Sequence, residues 1–240
     1  MGKEDKLVDK LVSLFKGISD KDIDKAIKEA KNRLVVEAKK PKYEVLEKLF
    51  DSQIQVLWDR GCPDQIIGLL VAQKSSVLSK ASKIAFENGH IPFIPVIPQT
   101  YRSFYDLMAM VRNGDKRGYV HLDPVVVTSI TDKIKTPDKP YYIYDIEDGR
   151  RLVGKSPKEA EKILEEQPRS PLTAAEIIAL CVHTNVLKHH YVQATGSRCS
   201  YDERDMVPDV VLLDIPMLDQ CWVNSESNSW GSPSCGSRDL

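Results

Sequence analysis

Apolar residues recur at helical spacing through the first ninety positions. Leu7, Val8, Leu11, Leu14 and Phe15 share one face over residues 4–17. Ser19 is placed to cap a second helix that carries Ile23, Ala26, Ile27, Ala30 and Leu34 on one side, and Pro41 stops it. A third helix is expected from Lys42 to Arg60, with Val45, Leu46, Leu49, Ile54 and Leu57 inward and Gly61-Cys62-Pro63 closing it. A fourth is expected from Asp64 to Glu87, ended by Asn88-Gly89.

The pattern changes at His90. Ile91–Pro98 is an apolar run broken by three prolines, which confines it to an edge strand or an extended crossover. Ser103 to Arg112 reads as a short helix and 118–122 as a strand. For 124–130 two readings stand: Val125-Val126-Val127 favours a strand, and Asp123-Pro124 favours a helix start. Tyr141–Ile146 is a strand, and Glu147-Asp148-Gly149-Arg150 suits a hairpin turn into Arg151–Gly154. Ser156-Pro157-Lys158-Glu159 and Thr173-x-x-Glu176 are helix starts with capping-box chemistry. The second should run to about Lys188 as a central core helix. Further strands are expected at 190–194, 209–215 and 221–223.

The fold class is therefore α+β: a helical N-terminal region packed beside a mixed, mainly antiparallel sheet with a central buried helix. The expected division is a helical region, 1–90, and an α+β domain, 91–240, with the proline-rich run at the boundary.

Composition narrows the function classes. A chain of 240 residues, 42% hydrophobic and 29% charged, is long enough to bury a core. Its net charge of −1 supplies no field for nucleic acid or anionic lipid, so neither is an expected partner. Residues 1–60 hold 14 Lys/Arg and 12 Asp/Glu, a mixed polar surface rather than a basic patch. The start, Met1-Gly2-Lys3-Glu4-Asp5, is charged rather than apolar, and Lys6 replaces the Ser or Thr of a myristoylation signal. No stretch is long enough to span a bilayer. The expected location is the cytoplasm. There the five cysteines, Cys62, Cys181, Cys199, Cys221 and Cys235, would be thiols rather than a disulfide framework.

Candidate chemistry concentrates in the tail, which carries eight acids, three arginines and no lysine over residues 191–240. Gly196-Ser197-Arg198-Cys199 is mirrored by Cys235-Gly236-Ser237-Arg238. Gly-Ser turns can aim successive N–H groups at an anion, and a flanking arginine can fork onto it. Gly196, Ser197, Arg198, Cys199, Ser234, Gly236, Ser237 and Arg238 are thus candidate ligand-binding residues for a small or anionic molecule. The alternative is two plain turns whose arginines pair with local acids.

Cys235 is the candidate nucleophile and His183 its candidate base, against the reading of His183 as a core residue. No Cys-x-x-Cys or His-x₃-His pair marks a zinc site, so no metal and no cofactor is expected. Asp205, Asp209, Asp214 and Asp219 could form a carboxylate pair, but spacing alone fixes no geometry, and solvated loop acids are the simpler reading. The competing functional class is an interaction module, in which residues 1–60 dock a protein or RNA and the C-terminal half is scaffold.

Several segments together resemble an uncharacterised prokaryotic domain family of unknown function. They are Tyr142–Gly149, Arg169-Ser-Pro-Leu-Thr173, Ile178–Leu180, Gly196–Cys199, Val207-Pro208, Cys221-Trp222 and Trp230–Gly236, with Ile94–Pro98 similar as well. The resemblance implies membership of that family and no particular activity. Residues 1–60 lie mostly outside it.

Overall fold

The computed structural model describes Lys21, Lys25, Lys28, Glu29 and residues 41–87 and 89–239. The chain divides into two units, Met1–Lys40 and Pro41–Leu240, and the architecture below is that of the second. The helices expected before residue 40 lie outside the described residues, apart from Lys21, Lys25, Lys28 and Glu29, which are helical.

Helix α1 (Tyr43–Asp59) buries Leu46, Phe50, Gln53, Ile54 and Leu57, whereas Val45, expected inward, is exposed and Leu49 is partly buried. Gly61, at φ 81°, turns the chain out of the helix as a left-handed cap. The single helix expected over 64–87 is two, α2 (Asp64–Val71) and α3 (Lys74–Ala81). The Gln73 N–H reaches only three residues back, to Leu70, and its side chain donates to the carbonyls of Leu69 and Pro140. That local tightening ends one helix and re-aims the next.

Strand β1 (Ile91–Val96) is an edge strand, as its prolines demand. It pairs antiparallel with β6 (Tyr141–Ile146), and β6 pairs on its other side with β14 (Ser237–Arg238). Phe50 of α1, Phe93 of β1 and Tyr142 of β6 form an aromatic cluster with ring centroids 5.6–6.3 Å apart. Such pairs are worth about 0.5–1.5 kcal/mol each beyond their burial. One hydrophobic core runs from Leu46 to Cys235, so the division expected at residue 90 falls inside a single unit.

Between β1 and β6 lie α4 (Phe104–Met108), the short pair β2 (Arg112–Asn113) and β3 (Lys116–Arg117), β4 (Tyr119–Val120), α5 (Pro124–Ser129) and β5 (Thr131–Asp132). The ambiguous valine run is helical because Asp123 caps it, accepting from the Val125 N–H at 2.8 Å, and Pro124 occupies the first turn.

No hairpin follows β6. The Glu147 and Asp148 carboxylates accept from the N–H groups of Gly149, Arg150 and Arg151, and Gly149 adopts φ 101°. These side-chain bonds replace a strand ladder and wind Arg150–Leu152 into a 3₁₀ turn.

The second half holds α6 (Pro157–Glu165), β7 (Ser170–Pro171), α7 (Ala174–His183), β8 (Tyr191–Gln193), β9 (Ser197–Tyr201), β10 (Arg204–Leu212), β11 (Pro216–Trp222), β12 (Trp230–Gly231) and β13 (Ser234–Cys235). Ser156 and Glu159 cap α6 reciprocally, as their spacing predicts. Helix α7 is buried from Ala174 to Val182 and stops short of Lys188, because the Thr184 hydroxyl donates to the Leu180 carbonyl and Thr184 turns extended. A mixed sheet runs β12-β8-β10-β11-β4, with β9 joining β10 to β5, and β10 and β11 form its long antiparallel centre. Helix α7 packs against both β1 and β10, which makes it the central helix of an α+β fold.

Candidate functional site

The segment Arg169–Thr173, which leads into α7, is the meeting point of the two Gly-Ser turns. On one side Gly196 donates its N–H to the Leu172 carbonyl at 2.9 Å. A Cβ at Gly196 would lie 2.9 Å from the Leu172 carbonyl and the Pro171 oxygen, so the close approach requires glycine. Ser197 Oγ accepts from the Ala174 N–H at 2.8 Å and donates to Asp132 at 2.6 Å. On the other side β13 pairs with β7, Ser234 opposite Pro171 and Cys235 opposite Ser170.

The arginines of both turns, with Ser197 and Ser234, are committed within the fold, while the Ser237 hydroxyl makes no hydrogen bond among the described residues. Arg238 forks onto the fully buried Glu176, Nε to Oε1 at 2.6 Å and Nη2 to Oε2 at 2.7 Å. Glu176 also accepts from Tyr141 Oη at 2.9 Å and from the Thr173 N–H at 2.8 Å, so both its oxygens are satisfied. Burial works against the Arg238 charge, but the Glu176 hydrogen bonds and charge outweigh it and raise the pKa. Arg198 pairs with Glu161 and with Asp205, and donates to the carbonyls of Thr195 and Ser197. Neither arginine is left free for an incoming anion.

The cysteine candidates are protonated thiols. Cys235 is wholly buried, and burial, with Glu176 adding, pushes its pKa up to about 12. Cys199 is pushed up to about 12 by burial and donates to Gln220 on β11. All five cysteines are unpaired. His183 stands at the far end of α7 from the Cys235 strand, about 15 Å of helix away. It lines a small apolar cavity with Leu57, Leu107 and Met110, and neither ring nitrogen finds a partner among the described residues. Burial, and then the charge of Arg60, lowers its pKa to about 3. The structure does not bring Cys235 and His183 together.

What opens to solvent beside the converged turns is a cleft of about 250 Å³. Gly196 is the residue of the two Gly-Ser turns that lines it. Its polar lining comes from Lys133, Glu161, Glu165, Arg169, Ser170 and Thr195, and its apolar lining from Ile134, Leu164 and Pro171. Arg169 is fixed as a wall: it donates to Asp145 Oδ2 at 2.7 Å, to Ser234 Oγ at 2.8 Å and to the Ser234 carbonyl at 3.2 Å.

Behind that wall, Asp145 takes a left-handed φ of 55°, uncommon for a residue with a side chain, and lies 2.6 Å from His90 Nδ1. Thr195 is different from its neighbours. It is fully buried, it lines the cleft, and its hydroxyl has no hydrogen-bond partner among the described residues. Sequence reasoning passed over Lys133, Glu161, Arg169, Ser170 and Thr195. The available signals were the position of Thr195 beside Gly196 and of Arg169-Ser170 at the start of a recognisable segment.

A second polar cluster lies in the central sheet. Asp209 of β10 is register partner to Asp219 of β11 and to Gln193 of β8, so the three side chains share a face. Gln193 accepts from Ser232 Oγ and donates to Cys221 Sγ. Asp209 is 1% exposed, and its Oδ1 has no partner among the described residues. Burial, and then the charge of Asp219, pushes its pKa up to about 8. Two of the four candidate aspartates thus face each other, while Asp205 and Asp214 are exposed.

Among the described residues no group of three His, Cys, Asp or Glu side chains is arranged to hold a metal ion, and no helix is long and apolar enough to cross a membrane. No curated protein and no solved structure shows significant similarity to the chain. A family model does: the family of unknown function DUF5701 matches residues 60–239, which takes in the cleft, both Gly-Ser turns and the buried carboxylates. The match covers well over half of the chain, and the chain therefore belongs to the DUF5701 family.

Proposed function

We propose that this chain is a cytoplasmic protein that binds a small polar ligand in the cleft beside Gly196, without covalent chemistry at Cys235. Five unpaired thiols suit a reducing compartment. The carrying observation is the Thr195 hydroxyl, buried and without a hydrogen-bond partner among the described residues, on a residue that lines the cleft. Leaving such a group without a partner costs about 1–3 kcal/mol, and a ligand hydrogen bond recovers that cost on binding. The cleft is at the small end of ligand sites, and its convergent polar groups on an apolar floor are what such sites use. A sealed thiol with a pKa of about 12 is a poor nucleophile at neutral pH, so binding rather than cysteine catalysis is the reading supported.

The test is a thermal-shift screen of small polar metabolites against the wild type and Thr195→Val, which keeps the shape and removes the hydroxyl. Compounds that raise the wild-type Tm and leave the variant unmoved support the cleft. A screen whose hits act equally on both proteins, or that yields no hit, overturns it.

A further inference from the structure

We infer that the ligand of the Gly196 cleft is a small zwitterion, an α-amino acid with an aliphatic side chain. This rests on the reading that the cleft binds a small polar molecule, and it adds the ligand's chemical class.

Arg169 is committed to Asp145 and Ser234, and Glu161 to Arg198. Lys133 is held only by a half-exposed ion pair, its Nζ 3.2 Å from both Glu161 oxygens. Exposed pairs of this kind contribute about 0–1 kcal/mol, so its ammonium can be shared with a ligand carboxylate at little cost. Glu165 is exposed and makes no ion pair among the described residues. One cation and one carboxylate are therefore available, on different elements.

Their spacing fits. Glu165 lies one helical turn beyond Glu161, about 5–6 Å along α6, and Lys133 is beside Glu161. An α-amino acid carries its ammonium and carboxylate on one carbon. Hydrogen bonds of about 2.8–3.0 Å at each end would let its carboxylate meet Lys133 and its ammonium meet Glu165 within the one cleft. Thr195 and Ser170 offer hydroxyls that can donate or accept. Ile134, Leu164 and Pro171 form the apolar strip for an aliphatic side chain. An anion such as phosphate would leave Glu165 repelling it, and an uncharged sugar would leave both charges unused.

Isothermal titration of the full chain with the twenty amino acids, isopentylamine, 4-methylpentanoate, glucose and inorganic phosphate tests this. L-leucine and its aliphatic relatives should bind, and removing either charged group should weaken binding at least tenfold. Lys133→Gln should weaken leucine and 4-methylpentanoate at least tenfold and leave the amine unchanged, and Glu165→Gln should do the reverse. Both positions are on the surface, so the variants keep the fold. Binding of phosphate or glucose that Thr195→Val abolishes, with no amino acid bound, overturns the zwitterion and keeps the cleft. Amino-acid binding that ignores both charge variants also overturns it. Binding of nothing, here and in the thermal-shift screen, ends both readings.

Discussion

Among the described residues, Glu176 and Asp209 are the two acidic side chains removed most completely from water, at 0% and 1% exposed, and the protein treats them in opposite ways. Glu176 sits at the first turn of α7, where the helix dipole favours an anion, and Arg238, Tyr141 and the Thr173 N–H fill its lone pairs. Asp209 sits mid-strand with another aspartate directly opposite and an oxygen left over. Like charges facing each other across a ladder repel, and burial adds to the penalty, so Asp209 keeps its proton near neutrality. Burial alone does not set a carboxyl's charge; the partners that the topology delivers do. One carboxylate fixes the segment that shapes the cleft, and the other is a titratable group in the sheet.

The comparison breaks most visibly at Arg238. Removing it strands the Glu176 charge in the core, and uncompensated buried charges cost about 3–5 kcal/mol. Arg238→Ala should therefore lose that much stability in urea denaturation at pH 7. The double variant Glu176→Leu with Arg238→Met should recover most of it, since an apolar pair of similar volume needs no compensation. A loss under about 1 kcal/mol in the single variant would mean that water reaches Glu176 and that the two carboxylates differ less than their geometry indicates.

Asp209→Asn sharpens the other half. The folded pKa, about 8, is raised above the ordinary 3.8, so the protonated group's contribution is complete below about pH 4 and is lost as the pH rises through about 8. Asparagine cannot ionise. The variant should match the wild type at pH 4, gain on it steadily above that, and level off beyond pH 8 with an advantage on the order of a few kcal/mol. Asp219→Asn should show a smaller gain, because it removes the second cause and leaves the burial. Stability curves at several pH values that run parallel for wild type and Asp209→Asn would contradict the buried, proton-bearing state.

Gly196 tests whether the cleft wall is as tightly packed as the carboxylate behind it. Its φ lies outside the left-handed range, so alanine is disfavoured there by space alone, the new Cβ meeting backbone at 2.9 Å. Overpacking of that kind costs about 1–3 kcal/mol. At Gly61 a Cβ meets nothing within 4 Å, but φ is 81°, and the penalty there is conformational. Gly196→Ala should shift the denaturation midpoint and weaken cleft ligands together, whereas Gly61→Ala should move stability alone.

The local rules were legible wherever one residue's chemistry decided the outcome. Ser156 and Glu159 announced their capping box, the prolines of 91–98 announced an edge strand, and Tyr141–Ile146 announced β6. Expectations failed where side chains competed with the ladder, as Glu147 and Asp148 do at the absent hairpin and Thr184 does at the end of α7. The site was half legible. The mirrored Gly-Ser turns do converge, yet neither arginine stays free, because Glu176 and Glu161, which lie 62 and 37 residues away in sequence, take them up. The Asp209–Asp219 pair was visible as residue types and invisible as a pair, because strand register is a tertiary outcome.

The smallest expected stability change is the one at Thr195. Its hydroxyl and Asp209 Oδ1 are both buried and unbonded among the described residues, but Thr195, unlike Asp209, is a residue of the cleft lining. Replacing an unbonded buried hydroxyl with a methyl removes a desolvation penalty and no hydrogen bond. Thr195→Val should accordingly be stabilising by about 1 kcal/mol, the low end of that cost, while cleft ligands lose about tenfold or more in affinity, the equivalent of one hydrogen bond. A destabilised Thr195→Val would show that the hydroxyl is satisfied in solution by an ordered water. Thr195 would then join Glu176 among the groups the fold provides for, and the cleft lining would lose its buried polar atom without a partner.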